Sequence, residues 1–137
     1  MSEKGSILPL VAGLLALCGV FVVAVVDSTD LAIARTHLQS IADAAALAAA
    51  QSITPGNATV SNDRLVIALT PATIRSAARQ FVRDSAVPGV RLSAATTPDG
   101  RTAIVTVTRF WRAPIDSDLL PLRLRLTATA RARTVFG

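Results

Sequence analysis

The residue types that carry most protein chemistry are scarce in this chain. It has one histidine, His37, one cysteine, Cys18, and nine acidic residues among 137. Nucleophilic catalysis needs a hydroxyl or thiol with a base in reach and a third group to orient that base. His37 has no second histidine and no surrounding carboxylates at metal-ligand spacing. Cys18 lies in the most apolar run, where a thiol behaves as a small hydrophobe, and a lone cysteine forms no internal disulfide. Asp63, Asp84, Asp99, Asp116 and Asp118 mostly fall at caps or turns, where local hydrogen bonding accounts for them. No glycine-rich loop is placed to cradle a phosphate. These residues point away from an enzyme and imply no cofactor and no metal site.

The other chemistry open to this sequence is electrostatic. The formal net charge is +5, and every basic side chain except Lys4 is an arginine. Arg123, Arg125, Arg131 and Arg133 recur at strand spacing and make a basic face. Such a stripe binds polyanions or lipid head groups, or it solvates a strand and keeps it from aggregating. Nucleic acid is not an expected partner, because there is no recognition motif and no Lys/Arg run. Four Phe and one Trp are also too few for a stacking platform.

The elements that position these residues begin with an uncharged apolar run, Ile7 to Val26. Its length matches the roughly 20 residues that cross a bilayer core as a helix. No A-x-A pattern follows it, so a retained span is expected in preference to a removed signal peptide. The amino terminus and Lys4 precede the run, and Asp27 and Asp30 follow it. That bias places the amino terminus in the cytoplasm and the rest of the chain outside the cell membrane.

Beyond Asp27 there is no Gly or Pro until Pro55, so the helix can continue to about residue 53. Leu31, Ala34, Leu38, Ile41, Ala45 and Ala48 follow a 3-4 alternation, which makes a helix-packing seam. Two occupants of this face stay open: another helix from a neighbouring subunit, or the chain's own carboxy-terminal domain.

Residues 54–63 read as a linker by composition, and Asn57-Ala58-Thr59 matches a glycosylation sequon. Residues 64–69 suit a strand. Thr70-Pro71 opens a helix with Ile74, Ala77, Ala78, Phe81 and Val82 on one face and Arg75, Arg79 and Arg83 on another, ended by Pro88-Gly89. Residues 90–97 and 102–111 should pair as a hairpin about Pro98-Asp99-Gly100. In the last strand Leu122, Leu124, Leu126, Ala128, Ala130 and Ala132 alternate with polar residues, which predicts a half-buried antiparallel strand. The expected fold is α+β: a short leader (1–6), a long helix (7–53), a linker (54–63), and a small domain (64–137). In that domain one amphipathic helix covers a three- or four-stranded antiparallel sheet.

Lys4-Gly5-Ser6 before the span, Asp27 at its end and LQSIADAAALAAAQ after it resemble the TadE/TadG-like proteins of tight-adherence (Flp-type) pilus systems. LTPATIRSAARQFV and LRLTATARAR are similar to later parts of family members. The resemblance implies a lollipop-shaped envelope protein that acts as a minor pilin, pseudopilin or assembly factor. Its implied partners are the lipid bilayer, other pilus subunits and a prepilin peptidase that would cut between Gly5 and Ser6. Leu10 stands where pilins usually carry Glu, so a processed pilin and an uncleaved assembly protein both fit the family. The function expected is therefore a membrane-anchored structural subunit that works by helix packing. The alternative is a tethered extracytoplasmic binding domain that uses the arginine face.

Overall fold

The computed structural model describes residues 5–52, 56, 58–61, 63–115 and 123–134. The first helix, α1, is a single element, Ile7–Ala50, of 44 residues. At 1.5 Å per residue it is about 66 Å long. It passes through the Asp27-Ser28-Thr29-Asp30 junction without a break. Ser28 and Thr29 donate their hydroxyls to the carbonyls of Ala24 and Val25, at 2.6 and 2.9 Å. Both side chains are thereby satisfied by the preceding turn and leave the helix intact.

A short hairpin follows, β1 (Ala58–Ser61) with β2 (Arg64–Ile67). Compositionally, residues 54–63 read as a linker, and residues 64–69 as a strand of the main sheet. The structure differs on both points. β1 lies inside the linker range, and β2 pairs with β1 in a separate two-stranded sheet. The turn between Ser61 and Arg64 is closed by Asp63, whose φ of 61° suits a tight hairpin.

Helix α2, Pro71–Asp84, starts on a reciprocal cap. The Thr70 hydroxyl accepts from the Thr73 amide, and the Thr70 amide donates to the Thr73 hydroxyl, at 3.3 and 3.2 Å. Pro71 occupies the first turn, where no amide donor is needed. Ile74, Ala78 and Val82 are buried along one face, and Arg75, Arg79 and Arg83 are exposed on another. The helix ends sooner than Pro88-Gly89 suggests, because Ala86 already turns to a φ of 51°.

The main sheet has three strands, β3 (Arg91–Thr96), β4 (Thr102–Arg112) and β5 (Arg123–Arg133), in the order β3-β4-β5 and antiparallel throughout. Asp99 organises the β3–β4 turn. Its carboxylate accepts from the amides of Arg101 and Thr102 and from the Thr102 hydroxyl, at 2.9, 2.6 and 2.8 Å. These three bonds favour the ionised form and lower its pKa from 3.8 to about 2. One sheet face is covered by the helices: α1 lies over β4 and β5, with Val105, Val107, Leu126, Ala128 and Ala130 in the core, and α2 packs on β3 and on α1. The second half of α1 joins this core through Leu38, Ile41, Ala42, Ala45, Ala46, Ala49 and Ala50. Buried positions repeat every three or four residues, as a helix laid on a sheet requires.

Candidate functional site

Among the described residues no three His, Cys, Asp or Glu side chains come together as a group that could hold a metal ion. His37 is exposed on α1, and Cys18 is exposed within its apolar half. The functional features are surfaces, three in number, and α1 links them.

The first is the apolar half of α1. The helix is long and apolar enough to cross a membrane, and its most apolar stretch is 0% buried by the rest of the chain. Gly5 and Ser6 sit exposed just before it. Ser6 is the N-cap residue but makes no side-chain capping bond, so the peptide link between them is not held by a cap.

The second is the alanine-rich half. Leu38, Ile41 and Ala45 of the seam are buried, while Leu31, Ala34 and Ala48 are half-buried at its margin. Of the two occupants left open by the sequence, the structure places the chain's own β4, β5 and α2 against this face. Leu47, 51% exposed, and Ile33 point away from it. A bond between side chains far apart in sequence fixes the junction of the two halves: the Trp111 indole donates to the Asp30 carboxylate at 2.7 Å. A second link lies further along, where the Gln39 amide donates to the Thr129 carbonyl at 3.3 Å and to Asp43 at 3.1 Å. Neither link has a local sequence signal. That Trp111 is the only tryptophan is the one hint available.

The third is the outer face of the sheet. Arg123, Arg125, Arg131 and Arg133 are all exposed along β5. The β4–β5 register sets Arg123 opposite Arg112, Arg125 opposite Phe110, and Arg131 opposite Ile104. Thr106 and Thr129 join hydroxyls across the middle at 3.0 Å. β5 is an edge strand. Antiparallel self-pairing centred on Ala128 would oppose Arg125 to Arg131 and Arg123 to Arg133, a like-charge arrangement that destabilises the pair. Between this edge and α1 runs a groove of about 710 Å³ whose lining includes Arg35, Gln39, Asp43 and Arg125. Leu124, assigned to the buried face by its alternation, is exposed. It pairs with Trp111 at the end of the sheet nearest Asp30, where the helix enters its apolar half. Leu122 and Asn57 lie outside the described residues.

An exposed apolar helix running unbroken into an α+β head defines a stalk-and-head protein, with a candidate membrane span as the stalk. Residues 5–52 match the family model described as Tad, putative Flp pilus-assembly TadE/G-like. That match covers α1 and stops before β1. The similarity in the later parts of the chain falls outside that match. Searches of curated proteins and of solved structures found no match.

Proposed function

We propose that this protein is a membrane-anchored, pilin-like subunit that helps build or prime a Tad-type pilus. The observation that carries this reading is that one uninterrupted helix, within the TadE/G-like match, has an unburied apolar first half and a second half built into a folded head. Among the described residues nothing covers residues 7–26, so they need lipid or other subunits to cover them. Assembly would move them from lipid into the packed interior of a filament, with the head fixed to the stalk throughout. The amino terminus lies in the cytoplasm and the head outside it, in keeping with Lys4 before the run and Asp27 and Asp30 after it. A prepilin peptidase cutting between Gly5 and Ser6 would leave Ser6 as the new amino terminus.

The test is to shear surface filaments from cells and measure the mass of the protein's amino terminus in that fraction. A chain beginning at Ser6 in filaments is the expected result. A full-length chain confined to membranes, with normal pili in its absence, would exclude a structural role. The exposed arginine face supports a second reading, a tethered domain that recruits an anionic surface. Arg123→Glu with Arg125→Glu would then abolish attachment to that surface and leave filament yield unchanged.

A further inference from the structure

We infer that the end of the head nearest the stalk junction is a lipid-docking surface, and that the head rests on the anionic leaflet from which its own helix emerges. The inference depends on the membrane-anchored reading of residues 7–26. Val26 ends the uncharged apolar run, and Asp30 lies about 6 Å further along the helix axis. The head-group layer is about 5–7 Å thick on each side of the hydrocarbon. The Trp111–Asp30 bond therefore sets the end of β4 at head-group level. Trp111 itself is buried in the head's core, 7% exposed, so it fixes the depth of the strand end and leaves the lipid contact to its neighbours.

What surrounds this point fits lipid. On the outer face Phe110 is 71% exposed, although it sits on an otherwise polar part of the sheet. The register sets Arg125 directly opposite it, and Arg112 faces Arg123 two pairs further toward the membrane, on the same face. On the inner face and just past the strand, Leu124 and Ile115 are also exposed. A large aromatic flanked by arginines is the combination that enters an interface, with the ring among acyl ends and the guanidinium groups at phosphates. In water the same combination leaves Phe110 uncovered. The distal end of that sheet face, at Thr102 and Arg133, has no comparable aromatic. The charge asks for an anionic leaflet, since each arginine near such a surface strengthens attachment by roughly fivefold. Asp30 lies at the same depth, but its carboxylate already accepts from Trp111.

The experiment uses the full chain in vesicles, with Cys18→Ser and a fluorophore at Thr127→Cys, beside Phe110 and Arg125, or at Arg131→Cys, further out on the same face. Head-group spin-labelled lipid is the quencher. In vesicles containing phosphatidylglycerol the Thr127 probe should be quenched more than the Arg131 probe. The excess should fall in phosphatidylcholine alone or at high salt, where the helix anchor alone holds the head near the surface. Adding Phe110→Ser, Arg123→Glu and Arg125→Glu should lower the ratio of docked to lifted heads by at least ~25-fold. Equal quenching at the two positions, or the same quenching in both vesicle types, overturns the docking while the chain still floats with the vesicles. A chain that does not float overturns the membrane anchor and the docking with it. The lipid comparison leaves Phe110, Arg123 and Arg125 unchanged, so it stands even where the triple variant fails to fold.

Discussion

The two halves of α1 both present apolar surface, the first on all sides and the second mainly on the face turned to the sheet, and they differ in the size of the side chains there. Residues 7–26 carry Leu, Val, Ile and Phe on all sides, and almost every one is exposed. From Leu38 onward the buried positions are mostly alanine. Liquid hydrocarbon fits itself to any shape, so a lipid-facing helix gains by enlarging its apolar area at about 25 cal/mol per Å². A folded sheet cannot rearrange in that way, and packing at crystal-like density rewards shape match over bulk. Alanine allows α1 to lie close on Val105, Val107 and Ala128 without displacing them. On the membrane-anchored reading proposed above, the difference in side-chain size reports the partner: fluid lipid for one half, a fixed surface for the other.

The sharpest way to break this comparison is to put a carboxylate into each half. Ala45 is 0% exposed. Ala45→Glu buries a charge against the sheet and should destabilise the head by about 4 kcal/mol, with membrane insertion intact. Leu17→Asp should cost about 3 kcal/mol of insertion and leave the head's unfolding unchanged. Flotation and denaturant unfolding of the two variants separate these effects. If Ala45→Glu leaves head stability unaltered, the alanine face is not part of the core. Where the head is destabilised as expected, an assembly defect in Ala45→Glu reflects an unstable head before it reflects a lost subunit contact. Leu47→Glu, on the exposed side, isolates a subunit contact, because its effect on head stability should stay within about 0.5 kcal/mol.

The joint between the halves is the next point of attack. Trp111→Phe keeps the ring but removes the indole donor from Asp30. A hydrogen bond to a charged group contributes about 1.5–3 kcal/mol, and the head should lose that much stability. Denaturant midpoints of the full chain in detergent measure it. An unchanged midpoint would mean the bond is replaced by water at no loss, and that the head is held to the stalk by apolar packing alone.

Much of this fold was legible in the sequence because its signals are local. The Thr70-Pro71 start of α2, the Asp99-Gly100 turn and the alternation along β5 each depend on neighbours within a few residues, and the structure has the first two and the third from Leu126 onward. Periodicity marked the seam from Leu31 to Ala48 as a packing face but named no partner, because a stripe of apolar side chains suits a helix or a sheet alike. Composition hid β1, since Asn, Gly and Asp around Thr59-Val60 read equally as linker or as hairpin turn. The arginine face was visible from spacing. The position of Phe110 opposite Arg125 required the β4–β5 register, and the Trp111–Asp30 bond joins residues 81 apart.

A smaller effect belongs to the head alone and sharpens the boundary between head and stalk. Thr70→Ala removes the side-chain half of the α2 cap and should destabilise the head by about 1 kcal/mol. Thermal unfolding of the head should fall accordingly, and insertion of residues 7–26 should not change. A loss of insertion in this variant would mean the two halves of α1 do not act separately.

The mildest test lies at the far end of the head, in the β3–β4 turn. Asp99 is exposed, yet its carboxylate is held by two amides and a hydroxyl, which lowers its pKa from 3.8 to about 2. A carboxylate with a depressed folded pKa adds stability that is present above the unfolded value and is lost as pH falls through the folded one. Acidification from about pH 4 to 2 should therefore loosen this turn, whereas the stalk junction, fixed by Trp111 and Asp30, is a separate contact. Carbon NMR of the Asp99 carboxyl against pH should give a midpoint near 2, well below the ordinary 3.8. In Asp99→Asn the amide oxygen still accepts from the two backbone donors, so the hairpin should persist without the acid step. A midpoint at the ordinary value would show that the turn is not closed by Asp99. The order of the distal head would then rest on β4–β5 pairing and on the alanine face of α1 beneath it.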